Sequence, residues 1–124
     1  MTRSRSNKEV RAITEAQGRR AETLAAWYLR LKGWRIVARR ARVHGGEVDV
    51  IARRGGTLAF VEVKWRATDE ALDSAIDAHR LRRVAAAAQI LAPRHARDGD
   101  VTRIDVILLA PGRWPHHLTN VWMG

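Results

Sequence analysis

Two neighbouring segments in the middle of the chain alternate between apolar and polar residues with a period of two. They are residues 46–51 (GEVDVI) and residues 60–64 (FVEVK), and their content of Val, Ile and Phe is typical of β-strands. The pair Gly55-Gly56 between them suits a two-residue turn because glycine adopts positive φ without strain. The pattern therefore predicts a β-hairpin in which Arg54 lies opposite Thr57.

That turn fixes which side chains share a face of the hairpin. Asp49 is predicted to lie opposite Glu62, and Glu47 opposite Lys64, because side chains alternate strictly between the two faces of a strand. One face therefore carries three carboxylates and a lysine. The other face is apolar, and its members are Val48, Val50, Ala52, Ala59, Val61, Val63 and Trp65.

The acidic face indicates a metal site. Like charges that face each other across a β-ladder are destabilising unless something compensates them, and a hard cation such as Mg²⁺ or Mn²⁺ binds carboxylate oxygens while keeping several water ligands. Lys64 would then orient or deprotonate a water molecule, or stabilise a developing phosphorane. The alternative is a solvated face in which Glu47 pairs with Lys64 and the other acids face water, at little gain in stability.

A long helix is predicted before the hairpin, over residues 14–32. Thr14 and Gln17 have the spacing of a capping box, and Gly33 suits the C-terminal stop. Glu22 borders the apolar stripe of this helix, from where it can lean towards the acidic face. The stripe that we expect to pack against the sheet consists of Ala21, Leu24, Ala25, Tyr28 and Leu31.

The other apolar segments complete an α/β pattern. In chain order they predict a strand over 34–43, a polar connection over 67–74, a helix capped by Asp77 that ends at Leu91 before Pro93, a strand over 101–110 and a short strand near 117–123. Ile104, Val106 and Leu108 should share one face of the fourth long strand, with Asp105 on the other.

Length and composition favour one small globular domain. The chain has 124 residues, of which 46% are hydrophobic, and it has no cysteine, so neither a disulfide nor a cysteine-based zinc site is available. Residues 1–13 are expected to form a basic, disordered tail, and residues 14–124 the domain. Because no apolar run reaches 18 residues, we expect a cytoplasmic protein that does not enter a membrane.

The charge of the chain points to a polyanionic partner. The net charge is +10, from 23 Lys and Arg against 13 Asp and Glu, which favours nucleic acid, with DNA preferred over RNA. Candidate phosphate contacts are Arg40, Arg42, Arg66, Arg80 and Arg83. The five tryptophans are interpreted as core and sheet-edge residues rather than base-stacking platforms, with Trp65, beside Arg66, as the one within reach of a nucleotide.

Four motifs carry a resemblance to a known family. They are residues 18–22 (GRRAE), 46–51 (GEVDVI), 60–66 (FVEVKWR) and 103–106 (RIDV). Together with the order of the elements they resemble the restriction-endonuclease-like fold, and the match to the YraN-like family of small bacterial proteins spans residues 18–123. Two positions depart from the family's pattern, which has a lysine near His79-Arg80 and an asparagine where this chain has Arg40.

The resemblance implies a fold, a chemistry and a set of site residues. The fold would be a three-layer α/β arrangement with a central mixed β-sheet flanked by helices, in the order α-β-β-β-α-β-β. Members of the family are predicted nucleases similar to Holliday-junction resolvases, which implies a metal-dependent nuclease acting on DNA, including branched or damaged DNA, and allows a homodimer. Metal ligands would be Asp49, Glu62 and the Val63 carbonyl, with Lys64 as catalytic lysine, Glu22 as accessory acid and Glu47 beside them.

Two other classes of function are compatible with the same sequence features. One is a catalytically inactive nucleic-acid-binding module that uses the fold only as a scaffold. The other is an accessory protein of RNA or the ribosome, which keeps the basic surface and changes the partner. A cleavage assay separates the first from a nuclease, and relative affinity for matched DNA and RNA separates the second.

Overall fold

In the described part of the chain, a central β-sheet carries a helix on each face. The computed structural model describes residues 7–66 and 78–122, with the backbone alone for residues 10–14. The elements in chain order are α1 (Asn7–Leu31), β1 (Arg35–Val43), β2 (Gly46–Arg54), β3 (Thr57–Trp65), α2 (Ala78–His95), β4 (Val101–Leu109) and β5 (His116–Leu118). This is the predicted order of elements, and the expected three-layer α/β fold is confirmed.

The five strands of the described part lie side by side in the order of the chain. β1, β2 and β3 pair antiparallel, β3 and β4 pair parallel across the connection that contains α2, and β4 and β5 pair antiparallel. The sheet is therefore mixed, as expected. The hairpin register is also as predicted, with Arg54 opposite Thr57 and Ile51 opposite Phe60. Gly55 has φ 59, which explains the glycine at the first turn position.

α1 packs on one face of the sheet through small side chains. Ala21, Ala25 and Leu29 are buried against a cluster that includes Val50 and Val61. The predicted packing stripe is wrong in part, because Leu24 and Leu31 are 56% and 78% exposed. The alanines let the helix approach the strands closely, and this turns the larger leucines away from the sheet.

α2 covers the opposite face, where Val84 and Leu91 pack with Ile51 and Phe60. Gly46 permits this approach, since a Cβ there would lie 2.6 Å from the Arg83 carbonyl oxygen. As predicted, β4 buries Ile104, Val106 and Leu108 in this same cluster.

The predicted ends of both helices need correction. α1 begins at Asn7 rather than Thr14, so the capping box at Thr14 is wrong and about half of the expected tail is helical. α2 continues through Pro93 to His95, and the Ala96 N–H donates to the Ala92 carbonyl. A proline in the last turn removes only one helical hydrogen bond, so the helix does not have to stop there.

Some expectations fall on residues outside the described ranges. They are the connection over 67–74, the cap at Asp77 and the first six residues of the basic tail. In the described part of the chain, no helix combines the length and the apolar character needed to cross a membrane.

Candidate active site

The acidic residues of the hairpin lie where β2 and β3 stop pairing. The ladder between these strands ends at Val50 opposite Val61, one position before Asp49 and Glu62. The alternation of β2 is interrupted here as well: Val48 packs in the α2 cluster rather than with Val50 in the α1 cluster. The prediction that these two valines share a face is therefore wrong.

The neighbouring strand is irregular at the same level. In the register of β1 with β2, residues 39 and 41 are paired but Arg40, which would meet Asp49, is not. Arg40 has φ 51, a left-handed conformation that is uncommon for a side chain of this size. Local strain of this kind is concentrated at functional sites, and here it accompanies the carboxylate at the centre of the site.

Asp49 is held by the backbone of β3. The Val63 N–H, which lies beyond the end of the ladder, donates to Asp49 Oδ2 at 2.8 Å. Burial and the nearby charge of Glu62 nevertheless raise the pKa of Asp49 from 3.8 to about 8. Glu22 and a hydrogen bond with the Glu62 carboxyl add to this effect. At neutral pH the Asp49 carboxyl is therefore largely protonated.

Glu62 is paired with two cationic side chains. Its Oε1 lies 2.7 Å from Lys64 Nζ and 3.4 Å from Arg80 Nη2. Burial lowers the pKa of the Lys64 ammonium, although its hydrogen bond with Glu62 works in the opposite direction. The predicted meeting of Glu47 with Lys64 is wrong, because the ladder ends too early, and Glu47 instead lies 3.4 Å from Arg42 Nε.

Helix α1 brings one more carboxylate to the site. Glu22 is buried, and its Oε2 accepts a hydrogen bond from Arg40 Nε at 2.5 Å. This hydrogen bond raises the pKa of the Arg40 guanidinium. Since the charge of Glu22 also acts on the pKa of Asp49, the expected inclination of Glu22 towards the acidic cluster agrees with the structure.

Asp49 and Glu62 line an open cleft of about 120 Å³ between the hairpin and α2, which is room for a few water molecules. Lys64 and Glu22 are not among the residues that line it. Arg66 does not line it; its guanidinium donates instead to the Trp65 carbonyl. The residues that line the cleft are Glu47, Asp49, Glu62, Arg80, Arg83 and Val84.

The donor set suits a hard divalent cation. Asp49 and Glu62 offer carboxylate oxygens, the donor type that Mg²⁺ and Mn²⁺ prefer. The raised pKa of Asp49 indicates that Lys64 and Arg80 do not supply enough positive charge for both acids to ionise. No group of three or more His, Cys, Asp or Glu side chains in the described ranges is arranged around a common metal position, so two carboxylates would be completed by water or by backbone oxygen.

A second buried acid lies on the other face of the sheet. Asp105 is fully buried and accepts hydrogen bonds from Arg103, His117 and the Asn120 N–H. Burial alone would raise its pKa, but these hydrogen bonds keep the pKa below its ordinary value. The sequence placed Asp105 on this face, two residues after Arg103, but gave no sign of its other two partners, because they lie 12 and 15 residues further along the chain. The group fastens β5 and the following segment to the sheet.

Comparison with known proteins assigns the family. Residues 21–109 match the model of "Uncharacterised protein family UPF0102". A UPF0102 protein of Sphingopyxis alaskensis is 66% identical over 90% of this chain and 97% of its own length. Those of Rhizorhabdus wittichii and Erythrobacter litoralis are 60% and 55% identical, over 92% and 90% of this chain and 97% of each relative. The chain therefore belongs to the UPF0102 family, the YraN-like family that its sequence motifs indicated.

Proposed function

We propose that this protein is a metal-dependent nuclease that hydrolyses phosphodiester bonds of DNA. The observation that carries the proposal is a pair of adjoining carboxyls, the half-buried Asp49 and the buried Glu62, at an open cleft with arginines on its wall. A purely structural role does not explain why two acids should lie side by side away from bulk water, since this arrangement costs stability. A cation between them would remove that cost.

Each residue of the site has a role in such a reaction. Asp49 and Glu62 would hold Mg²⁺ or Mn²⁺, with the Val63 carbonyl as the third protein ligand that the family resemblance implies. The bound cation supplies a Lewis acid that lowers the pKa of a water ligand and neutralises charge on the phosphate. Arg80 and Arg83 on α2 would bind the phosphate oxygens of the DNA strand.

Lys64 is suited to work with the attacking water. Its ammonium is buried and lies 2.7 Å from the Glu62 carboxylate. Because burial lowers its pKa, Lys64 gives up its proton more readily than an exposed lysine. In its charged form it would stabilise the extra negative charge of the phosphorane. Glu22, held in place by Arg40, would act as an accessory acid near Asp49.

A cleavage time course tests this proposal. Labelled duplex, nicked, flapped and four-way-junction DNA would be incubated with purified protein and Mg²⁺ or Mn²⁺. Asp49→Asn and Lys64→Ala should abolish cleavage, Glu22→Gln should reduce it less, and Asp98→Asn, which changes an exposed acid outside the cleft, should leave it unchanged. If wild type and Asp49→Asn cleave equally, the activity is a contaminant, and a binding module becomes the better account.

A further inference from the structure

An apolar surface lies exposed beside the sheet on the α1 side. It is formed by Leu24, Trp27 and Leu31 of α1 and by Trp114 of the connection between β4 and β5, and we call these four residues the tryptophan surface. The two indole side chains are 59% and 83% exposed. All four residues line one groove of about 430 Å³, together with Trp65 and Leu109. Contiguous exposed apolar surface on a small protein is a sign of an interaction site.

The tryptophan surface contradicts the interpretation of tryptophans as core and edge residues. Trp34 is buried as expected, but Trp27 and Trp114 are exposed. The leucines Leu24 and Leu31, predicted to pack on the sheet, border them instead. The sequence therefore assigned to the core the side chains that form this surface.

Cationic side chains surround these rings. The Arg30 guanidinium lies 5.3 Å from the centre of the Trp27 ring, and Lys32 Nζ lies 5.6 Å from the centre of the Tyr28 ring. Arg113 lines the same groove. Among the described residues, none of those that line the groove is Asp or Glu. The partner of this surface should therefore combine flat apolar groups with negative charge.

We infer that the tryptophan surface binds unpaired nucleotides of a nucleic-acid strand. Bases stack on exposed aromatic rings whatever their sequence, while neighbouring cations bind the phosphates. A second copy of this chain is the less suitable occupant, because each copy carries a net charge of +10 and pairing would bring the same cations together. The inference rests on the proposed function, and it narrows the substrate to DNA with an unpaired segment.

The position of the surface relative to the cleft supports this substrate. Glu62 lines the cleft and Trp65, three positions further along β3, lines the groove. Residues an odd number of positions apart in a strand point to opposite faces. The cleft and the groove thus meet at the same end of β3, one on each face of the sheet. A DNA strand that is base-paired at the cleft can continue past this end of the β-sheet. Its unpaired nucleotides then reach the tryptophan surface.

Equilibrium binding tests the inference without any need for cleavage. Fluorescence anisotropy would compare a blunt 20-base-pair duplex with the same duplex carrying a ten-nucleotide overhang, in low salt without divalent metal. Wild type should bind the overhang DNA at least about fivefold more tightly, which corresponds to one stacked base. Trp27→Ala and Trp114→Leu should each lose most of this preference. Trp114→Phe should keep the preference because it keeps an aromatic ring. Ile90→Ala should also keep it, since Ile90 is an exposed apolar residue of α2, away from the tryptophan surface.

The possible results separate this inference from the proposed function. Equal binding of blunt and overhang DNA by wild type would overturn the inference alone, since the cleft would still bind duplex. Binding to neither DNA would overturn both. If Trp114→Leu and Trp114→Phe weaken binding of the overhang DNA equally, the inference is also overturned, because base stacking would not explain the preference. A dimer in sedimentation velocity that Trp114→Leu dissociates would assign the surface to a second copy.

Discussion

Replacing Asp49 by asparagine should stabilise the protein in the absence of metal, by an amount that grows with pH. The pKa of Asp49 is raised from 3.8 to about 8 by burial and by Glu62. Between these two values the folded protein holds a proton that the unfolded chain has released, so the stability of wild type falls as pH rises through this window. Asparagine is neutral in both states, and the variant does not share this loss.

The size of the effect follows from the width of the window. At pH 7 the solution is just over three pH units above the ordinary pKa of 3.8, and each unit corresponds to ~1.4 kcal/mol. The upper limit of the stabilisation is therefore ~4 kcal/mol at pH 7, and at pH 4 it should be close to zero. Asparagine also keeps a side-chain oxygen that can accept the Val63 N–H, so this hydrogen bond need not be lost.

Urea unfolding in EDTA at pH 4, 5.5 and 7 measures this difference. Asp98→Asn, an exposed substitution of the same kind, serves as the control and should show little dependence on pH. A difference between wild type and Asp49→Asn that stays constant over this range would refute the reasoning, because the carboxyl would then have no raised pKa. Added Mn²⁺ should stabilise wild type by mass action and leave the variant unchanged.

Three other substitutions test parts of the structure that support the site. Gly46→Ala should destabilise the fold by ~1–3 kcal/mol, because the new Cβ would lie 2.6 Å from a carbonyl oxygen of α2. Gly56→Ala is the control, since a Cβ there has no atom within 4 Å. Equal urea-unfolding midpoints for the two variants would contradict the predicted clash at Gly46. Asp105→Ala should lower the free energy of unfolding in urea by ~3–5 kcal/mol, since it leaves the buried hydrogen-bond donors around Asp105 unpaired. A loss below ~0.5 kcal/mol would show that these hydrogen bonds are dispensable. Arg80→Ala should weaken duplex binding and lower the slope of log affinity against log salt by ~0.9, whereas an unchanged slope would place this arginine away from the phosphates.

The hairpin could be predicted from sequence because its signals are local. Alternation with a period of two and a glycine pair fix the register without reference to the rest of the fold, and Ile51 lies opposite Phe60 as expected. The break at Asp49 could not be predicted in this way. It depends on the left-handed backbone of Arg40 in another strand and on where β2 and β3 separate.

The orientation of α1 was harder to predict because the helix is rich in alanine and leucine. Such a sequence offers several apolar faces, and hydrophobicity favours the one with leucines. Ala21 and Ala25 pack on the sheet as predicted, but the leucine that joins them is Leu29. Only the three-dimensional packing reveals this choice among the leucines. The partners of the arginines were equally hidden: Arg40 contacts Glu22 and Arg80 contacts Glu62, across 18 residues in both pairs.

Calorimetric titration with Mn²⁺ tests most directly the central claim, that Asp49 and Glu62 form one cation site. Wild type should bind the ion at the cleft with release of a proton, because the carboxyls must ionise to coordinate it. Asp49→Asn and Glu62→Gln should each lose this binding, and Lys64→Ala should keep it. Binding of equal affinity in wild type and in both carboxylate variants, or no binding to wild type at all, would contradict the account.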